Sequence, residues 1–286
     1  MSSSATTVKN KEVSAGAAKR IAVIGCGKMG SILLQAFLER KLVSPDEVAA
    51  TVQHEEKSRT LSGGLATVAL DADNRSAVTN TPVVLLCVKP QALPQVLEEI
   101  APVIATKTLV ISIAASTTVR FIEQKLGKGV PVIRAMPNTP ATVGAAMTAL
   151  CAGSAASPEH LETAKSLFES VGRVVVVDEK HMDAITALSA SGPAFAFVIL
   201  ESLAEAGVKV GLPRELATTL AAQTLFGSAK LALETGHHPA LLKDAVTTPA
   251  GCTIEGLMEL ERGGLRVTLM NAVVQTTKRA RELMGG

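Results

Sequence analysis

The hexapeptide Gly25-Cys26-Gly27-Lys28-Met29-Gly30 limits what this chain can fold into more than any other part of its sequence. It follows the β-branched run 21–24 and opens a stretch, 32–37, whose apolar residues have helical spacing. A G-x-G-x-x-G segment between a strand and a helix is the fingerprint of dinucleotide binding. Its first glycine allows a tight turn, its second lets a pyrophosphate approach the backbone, and its third lets helix and strand pack closely.

Strand-like and helix-like segments alternate after this motif. Apolar runs recur at 48–52, 83–88, 109–113, 132–133 and 174–177, with helical spacing at 96–100 and 119–126. This alternation predicts an α/β Rossmann domain with a doubly wound, mostly parallel sheet.

The character of the sequence changes after Asp178, where long helical segments punctuated by Gly and Pro replace the β-branched runs. Gly192-Pro193 and Pro213 are predicted to start helices, Gly236 to end one, and 265–283 to form the last. We therefore predict a disordered tail over 1–18, an NADP(H)-binding Rossmann domain over 19–178, and an all-α dimerisation and substrate domain over 179–286.

Composition excludes several other classes of protein. The formal charge is +2, and the chain has no Trp or Tyr on which nucleic-acid bases could stack. No uninterrupted apolar run approaches the roughly 20 residues of a membrane span. The Ser-, Thr- and Lys-rich stretch 1–20 lacks an apolar signal core and an Arg-rich amphipathic pattern. These features predict a cytoplasmic protein that binds neither nucleic acid nor membrane.

The cysteines predict reduced thiols and no metal site. They are widely scattered and form neither a C-x-x-C pair nor any other metal-ligand spacing. The four are Cys26, Cys87, Cys151 and Cys252.

The end of the second strand favours NADPH over NADH. NAD enzymes place an acid about 20 residues after the glycine motif, where it binds the adenine ribose. Here that strand ends in "AATVQH", and Glu55 comes too late. The donors and cations that stand there suit a 2′-phosphate, with NADH as the weaker cofactor; they are Thr51, Gln53, His54, Lys57 and Arg59.

The stretch "TTPAGCTIEG", 247–256, carries no charge before Glu255 and is read as a turn that opens a helix. Pro and Gly disfavour helix up to Gly251, and Thr253 is predicted to cap the helix that follows. The backbone N–H groups and dipole of such a helix start suit a carboxylate or phosphate without any cation. The alternative is an ordinary helix start.

Two further stretches, "LLCVKPQ" (85–91) and "ISIAAS" (111–116), leave strands at the edge where this fold binds ligands, or are simply sharp turns. With these, "GCGKMG", "RAMPNTP" (134–140), "SGPAF" (191–195) and "VTTPAGCTIEGLMELE" (246–261), the sequence resembles the pyrroline-5-carboxylate reductase family from about Lys19 onward. The resemblance implies a Rossmann domain, a helical dimerisation domain, a homodimer and often a ring of five dimers.

The resemblance also implies a reaction and its residues. The reaction is the NADPH-dependent reduction of 1-pyrroline-5-carboxylate to L-proline by direct hydride transfer. The implied cofactor contacts are Ile24, Gly25, Cys26, Gly27, Lys28, Met29, Asn74, Cys87, Val88, Lys89, Pro90, Ile113, Ala114 and Ala115. The implied substrate contacts are Ala250, Gly251, Cys252 and Thr253, with Thr253 catalytic. The chain departs from the family at Ala250 and Ala190, where Gly is common, and at Phe195, where Tyr is usual.

This reaction explains the uncharged turn. A cyclic imine that carries a carboxylate needs an anion site beside the hydride donor, whereas a nearby Lys or Arg would disfavour the electrophilic iminium cation. The iminium brings its proton from solution, so no general-acid machinery is required.

Two other functions compete with this one. A hydroxyacid dehydrogenase of the related two-domain type needs a base, but "SGPAFAFVIL" (191–200) has neither Lys nor Asn. A non-catalytic NADPH-binding sensor would keep the fold without turnover, and the intact turn argues against it.

Overall fold

A computed structural model of the chain describes residues 20–52, 68, 70–71, 73–127 and 129–283. These residues divide into two compact units between Glu179 and Lys180. The predicted tail, 1–18, lies outside the described residues. So do four of the residues predicted to meet a 2′-phosphate, namely Gln53, His54, Lys57 and Arg59.

The described part of the first unit contains one sheet of eight strands in the order β3-β2-β1-β4-β5-β6-β7-β8. Neighbouring strands are parallel except β6 and β7. The fold class predicted from the sequence, a doubly wound and mostly parallel sheet, is confirmed. The strands are β1 (Ile21–Ile24), β2 (Val48–Thr51), β3 (Leu70–Asp71), β4 (Val83–Leu86), β5 (Leu109–Ser112), β6 (Val132–Met136), β7 (Ala146–Ala152) and β8 (Gly172–Val176).

Two of these strands have no counterpart in the sequence prediction. Strand β3 is only two residues long, and β7, "AMTALCA", mixes small residues with few β-branched ones. The connection from β6 to β7 is shorter than the roughly twelve residues of a parallel crossover, which accounts for their antiparallel pairing.

Helices cover the sheet, and the hydrophobic core lies between the helices and the sheet. Strand β1 is buried along its whole length, and Phe37 and Phe168, which come from two helices, belong to the same hydrophobic core and have no exposed surface. A parallel sheet buried on both faces reads as continuous apolar runs, which is the pattern that the sequence shows. The helices are α1 (Lys28–Glu39), α2 (Asn74–Val78), α3 (Leu93–Ile100), α4 (Val119–Leu126) and α5 (Pro158–Glu169).

The described part of the second unit is entirely helical, as predicted. Pro193 stands in the first turn of its helix, Pro213 is an N-cap, and Gly236 ends a helix in the left-handed conformation at φ 65°. The helices are α6 (Met182–Ile185), α7 (Gly192–Lys209), α8 (Arg214–Thr235), α9 (Pro239–Ala245), α10 (Cys252–Arg262) and α11 (Leu265–Glu282), with a π-helical turn at Thr186–Ala190.

The second unit has many large apolar side chains, but they point outward. Its buried described residues are mostly alanines, such as Ala204, Ala217 and Ala221. Phe197 and Phe226 are 63 % and 60 % exposed. The run Glu179–Lys209 is long and apolar enough to cross a membrane by length and composition, and only 6 % of its most apolar window is buried. The described part of this unit therefore leaves an apolar surface unburied.

Candidate active site

The first candidate site lies at the carboxyl edge of strands β1, β4 and β5. These strands are parallel neighbours, so their carboxyl ends meet at the same edge of the sheet. Just beyond the strands, the Cys87 N–H donates to the Ile24 carbonyl at 2.8 Å, and the Ile113 N–H donates to the Leu86 carbonyl at 3.0 Å. The loops that follow all three strands are therefore held side by side.

The glycine motif lies at this edge, with open space beside its second glycine. Gly25 has a left-handed φ of +86°, and a Cβ on Gly30 would lie 2.7 Å from the Gly25 carbonyl oxygen and 3.1 Å from the Cys87 Cβ. In contrast, a Cβ on Gly27 would have no atom within 4 Å. Gly27 is the N-cap of α1, whose first turn carries no acidic residue. An open helix N-terminus without acids fits a pyrophosphate.

The cofactor contacts implied by the family resemblance all lie in the first unit, and most stand on these loops. Ile24 ends β1, Lys28 and Met29 begin α1, and the other loop residues follow β4 and β5 directly. Those that follow strands are Cys87, Val88, Lys89, Pro90, Ile113, Ala114 and Ala115. Asn74 is the first residue of α2, beside the neighbouring parallel strands β1 and β2.

Thr51 does not have the role predicted for it. Its side chain is 3 % exposed, accepts the Gly25 N–H at 3.2 Å, and donates to the Asn74 Oδ1 at 2.8 Å. Because the hydroxyl is buried and already bonded, the expectation that Thr51 helps bind a 2′-phosphate is wrong. Its partners lie 23 and 26 residues away, and no local pattern pointed to them.

Three of the cysteines favour the neutral thiol form at neutral pH. Burial raises the pKa of the Cys26 thiol and that of the Cys87 thiol, and it raises the pKa of Cys151 to about 11. The thiolate is the nucleophilic form, so these side chains act as small apolar groups. The cysteines form no disulfide. Among the described residues, no cluster of three or more His, Cys, Asp or Glu is placed to hold a metal ion.

The second candidate site is the turn that precedes α10. The Gly251 N–H donates to the Thr248 carbonyl at 3.1 Å, which closes a four-residue turn over Pro249 and Ala250. Ala250 has a φ of 55°, as the third residue of a type II turn requires. A residue with a Cβ pays about 1 kcal/mol in this region, which explains why Gly is common here in the resembling family. The departure noted from the sequence is thus a locally strained alanine.

Helix α10 begins at Cys252, and Gly251 is its N-cap in extended conformation. The prediction that the stretch 247–251 is not helical is confirmed. The prediction that Thr253 caps the helix is wrong. The extended N-cap, Gly251, lies two residues before Thr253, so Thr253 is the second residue of the helix. It is half-buried, and its hydroxyl has no hydrogen-bond partner within the described chain. The first turn of α10, which starts at Cys252, has backbone N–H groups with no partner inside the helix.

Comparison with known proteins follows the two units. Residues 179–283 match the family model for pyrroline-5-carboxylate reductase dimerisation, and residues 20–116 match that for coenzyme F420-dependent NADP oxidoreductases. The pyrroline-5-carboxylate reductase of Methanosarcina acetivorans is 43 % identical over 93 % of this chain and 98 % of its own length. This chain belongs to the pyrroline-5-carboxylate reductase family. The soybean (Glycine max) pyrroline-5-carboxylate reductase is 40 % identical over 91 % of this chain and 94 % of its own.

Solved structures of reductases agree with this membership. The pyrroline-5-carboxylate reductase of Coxiella burnetii matches with a TM-score of 0.84 at 36 % identity, over 93 % of this chain and 99 % of that one. The Plasmodium falciparum pyrroline carboxylate reductase, solved with NADP bound, has a TM-score of 0.84 at 28 % identity, over 93 % and 98 % of the two chains. Prephenate dehydrogenase from Aquifex aeolicus shares only the fold, at 12 % identity and a TM-score of 0.53.

Proposed function

We propose that this protein reduces 1-pyrroline-5-carboxylate to L-proline with NADPH, by direct hydride transfer. The observation that carries the proposal is its likeness to pyrroline-5-carboxylate reductases over nearly the whole chain, including 43 % identity to that of Methanosarcina acetivorans. The glycine loop and the uncharged turn are two of the stretches that carry the family's motifs. Incubation of the purified protein with NADPH and the imine, followed by proline analysis, tests the proposal. A sensor or a hydroxyacid dehydrogenase would form no proline.

The cofactor would be held by the first unit. NADPH supplies the hydride when it is bound. The N–H groups at the start of α1 would bind its pyrophosphate, and Gly27 would leave space for its approach. The full set of proposed contacts is Ile24, Gly25, Cys26, Gly27, Lys28, Met29, Asn74, Cys87, Val88, Lys89, Pro90, Ile113, Ala114 and Ala115.

The substrate would be held by the turn before α10. Residues Ala250–Thr253 would surround the carboxylate, with the free N–H groups at the start of α10, from Cys252 onward, as its donors. The Thr253 hydroxyl would donate to the ring nitrogen as it becomes an amine. A cationic side chain about 4 Å from an iminium would oppose it by about 4 kcal/mol at an effective dielectric of 20. Neutral donors at a helix start avoid this repulsion and still favour the carboxylate.

We expect NADPH to be used more efficiently than NADH. The motivation is the absence of an acid at the end of β2, where the last residue, Thr51, is buried and bonded internally. An acid there would bind the 2′-hydroxyl of NADH and repel the phosphate of NADPH. Steady-state kinetics with both cofactors checks this, and a higher kcat/KM with NADH would contradict it.

We also expect a homodimer built from the second unit, with five dimers in a ring as the full assembly. The support is the dimerisation family match over 179–283 and the outward apolar side chains of α7 and α8. A partner copy, and not a membrane, would cover the apolar run Glu179–Lys209, which favours a soluble, cytoplasmic enzyme. Light scattering is expected to give an even multiple of 29.5 kDa. An active species of 29.5 kDa at micromolar concentration would refute the dimer.

A further inference from the structure

A chain of hydrogen bonds runs from the glycine loop to a carboxylate on another element. The Gly25 N–H donates to the Thr51 Oγ1 at 3.2 Å, and the Thr51 hydroxyl donates to the Asn74 Oδ1 at 2.8 Å. The Asn74 Nδ2 then donates to the Glu99 Oε2 at 2.9 Å. The four residues come from the loop, β2, α2 and α3, so the chain connects separate parts of the fold.

The donor and acceptor groups at the two ends of this hydrogen-bond network determine the direction of every hydrogen bond in it. A carboxylate only accepts hydrogen bonds, so the group that Asn74 turns toward Glu99 must be its NH2. Its carbonyl oxygen then faces Thr51 and needs a donor. At the other end a backbone N–H only donates, so the Thr51 hydroxyl accepts from Gly25 and has its proton left for Asn74. Both ends require the same amide orientation.

Glu99 of α3 makes a second contact with the start of α2, through its main chain. The Arg75 Nε donates to the Glu99 backbone carbonyl at 3.0 Å. Glu99 therefore meets the first two residues of α2, one through its side chain and one through its main chain. It is half-buried, whereas the preceding Glu98 is exposed and pairs with Lys125 at 2.6 Å.

We propose that Glu99 is a positioning residue of the cofactor site, which acts through Asn74. Its carboxylate holds the Asn74 amide in one orientation, so that the second N–H of the amide has a fixed direction toward the cofactor. Through Thr51 it also holds the Gly25 N–H inward and sets the entry of the loop into α1. The proposal rests on the proposed function, because Asn74 is taken as a cofactor contact.

The test compares Glu99→Leu, which keeps the volume and removes the acceptor, with the matched control Glu98→Leu on the same helix. NADPH dissociation constants are measured by fluorescence titration without substrate. Loss of a charge-assisted hydrogen bond weakens NADPH binding by about 10-fold to 100-fold in Glu99→Leu. Glu98→Leu leaves it within about twofold. Glu99→Gln, whose amide oxygen still accepts from Asn74, recovers part of the loss.

Three further readouts separate positioning from other roles. At saturating NADPH the kcat of Glu99→Leu stays within about twofold of wild type, and only the KM for NADPH rises. The loss is the same for NADH, because the loop serves both cofactors. Adding Asn74→Ala to Glu99→Leu costs much less than the sum of the two single changes, as expected for residues that act as one unit.

Several outcomes overturn the proposal. One is unchanged NADPH affinity in Glu99→Leu or, if that variant does not fold, unchanged affinity in Glu99→Gln. A second is tighter binding of NADPH but not of NADH, which would mean that the carboxylate simply repels the 2′-phosphate. A third is full additivity with Asn74→Ala. If wild type binds NADPH but forms no proline, only the proposed function is wrong; if it binds no NADPH, both are wrong.

Discussion

Gly27→Ala is expected to leave the fold intact and to weaken NADPH binding by about 100-fold or more, which corresponds to about 2.7 kcal/mol. Gly27 has a φ of −84° in extended backbone, and a Cβ there would meet no atom of the chain within 4 Å. Alanine therefore fits the protein itself. The new methyl group would instead fill the space through which we propose that the pyrophosphate reaches the N-terminus of α1. Thermal melting and NADPH titration of the one variant check both parts.

Gly30→Ala is the matched contrast. Its Cβ would lie 2.7 Å from the Gly25 carbonyl oxygen and 3.1 Å from the Cys87 Cβ, so α1 must move away from the sheet. Overpacking of this kind costs about 1 to 3 kcal/mol of stability. We expect Gly30→Ala to melt at a lower temperature than wild type, and Gly27→Ala not to. Near-normal NADPH affinity in a folded Gly27→Ala would show that the cofactor does not approach this loop.

Thr253→Val is expected to lower kcat/KM for the imine by about 10-fold to 1,000-fold, or roughly 1.4 to 4 kcal/mol. The substitution keeps the volume and deletes the hydroxyl that we propose to bond the ring nitrogen as it changes from planar iminium to pyramidal amine. The melting temperature should barely change, because Gly251 and not Thr253 is the N-cap of α10. The NADPH dissociation constant should also stay constant. Kinetics, melting and titration on one preparation provide all three values.

Thr253→Ser is the control, because it retains the hydroxyl. It should keep most of the activity that Thr253→Val loses. Near-normal turnover in Thr253→Val would mean that the hydroxyl plays no part in the reaction, whereas equal losses in both variants would point to the shape of the side chain.

The parts of the fold that could be predicted are those where a local pattern has one physical meaning. Strand, glycine loop and helix over 21–39 were readable because the left-handed backbone of Gly25 and the close packing of Gly30 are demands that glycine meets best, at the spacing of a known motif. The starts of α7 and α8 were readable because proline tolerates few positions in a helix. Strand β7 was not, since the small residues of "AMTALCA" favour no single structure.

Two failures at the candidate sites have a common cause, which is contact between residues far apart in sequence. Thr51 ends a strand where a cofactor donor is plausible, but a loop and another helix use its hydroxyl. Glu99 could not be found from its neighbours, because its partner Asn74 lies 25 residues away. The position of the α10 N-cap depended on the left-handed backbone of Ala250, which a sequence with alanine there does not suggest.

The most direct measurement follows deuterium from the cofactor into the product. The protein is given 1-pyrroline-5-carboxylate and NADPH that carries deuterium at both positions of nicotinamide carbon four, and the products are examined by mass spectrometry and NMR. Direct hydride transfer predicts L-proline with one deuterium on carbon five for each NADPH oxidised. Absence of proline, or proline without deuterium on that carbon, would contradict it.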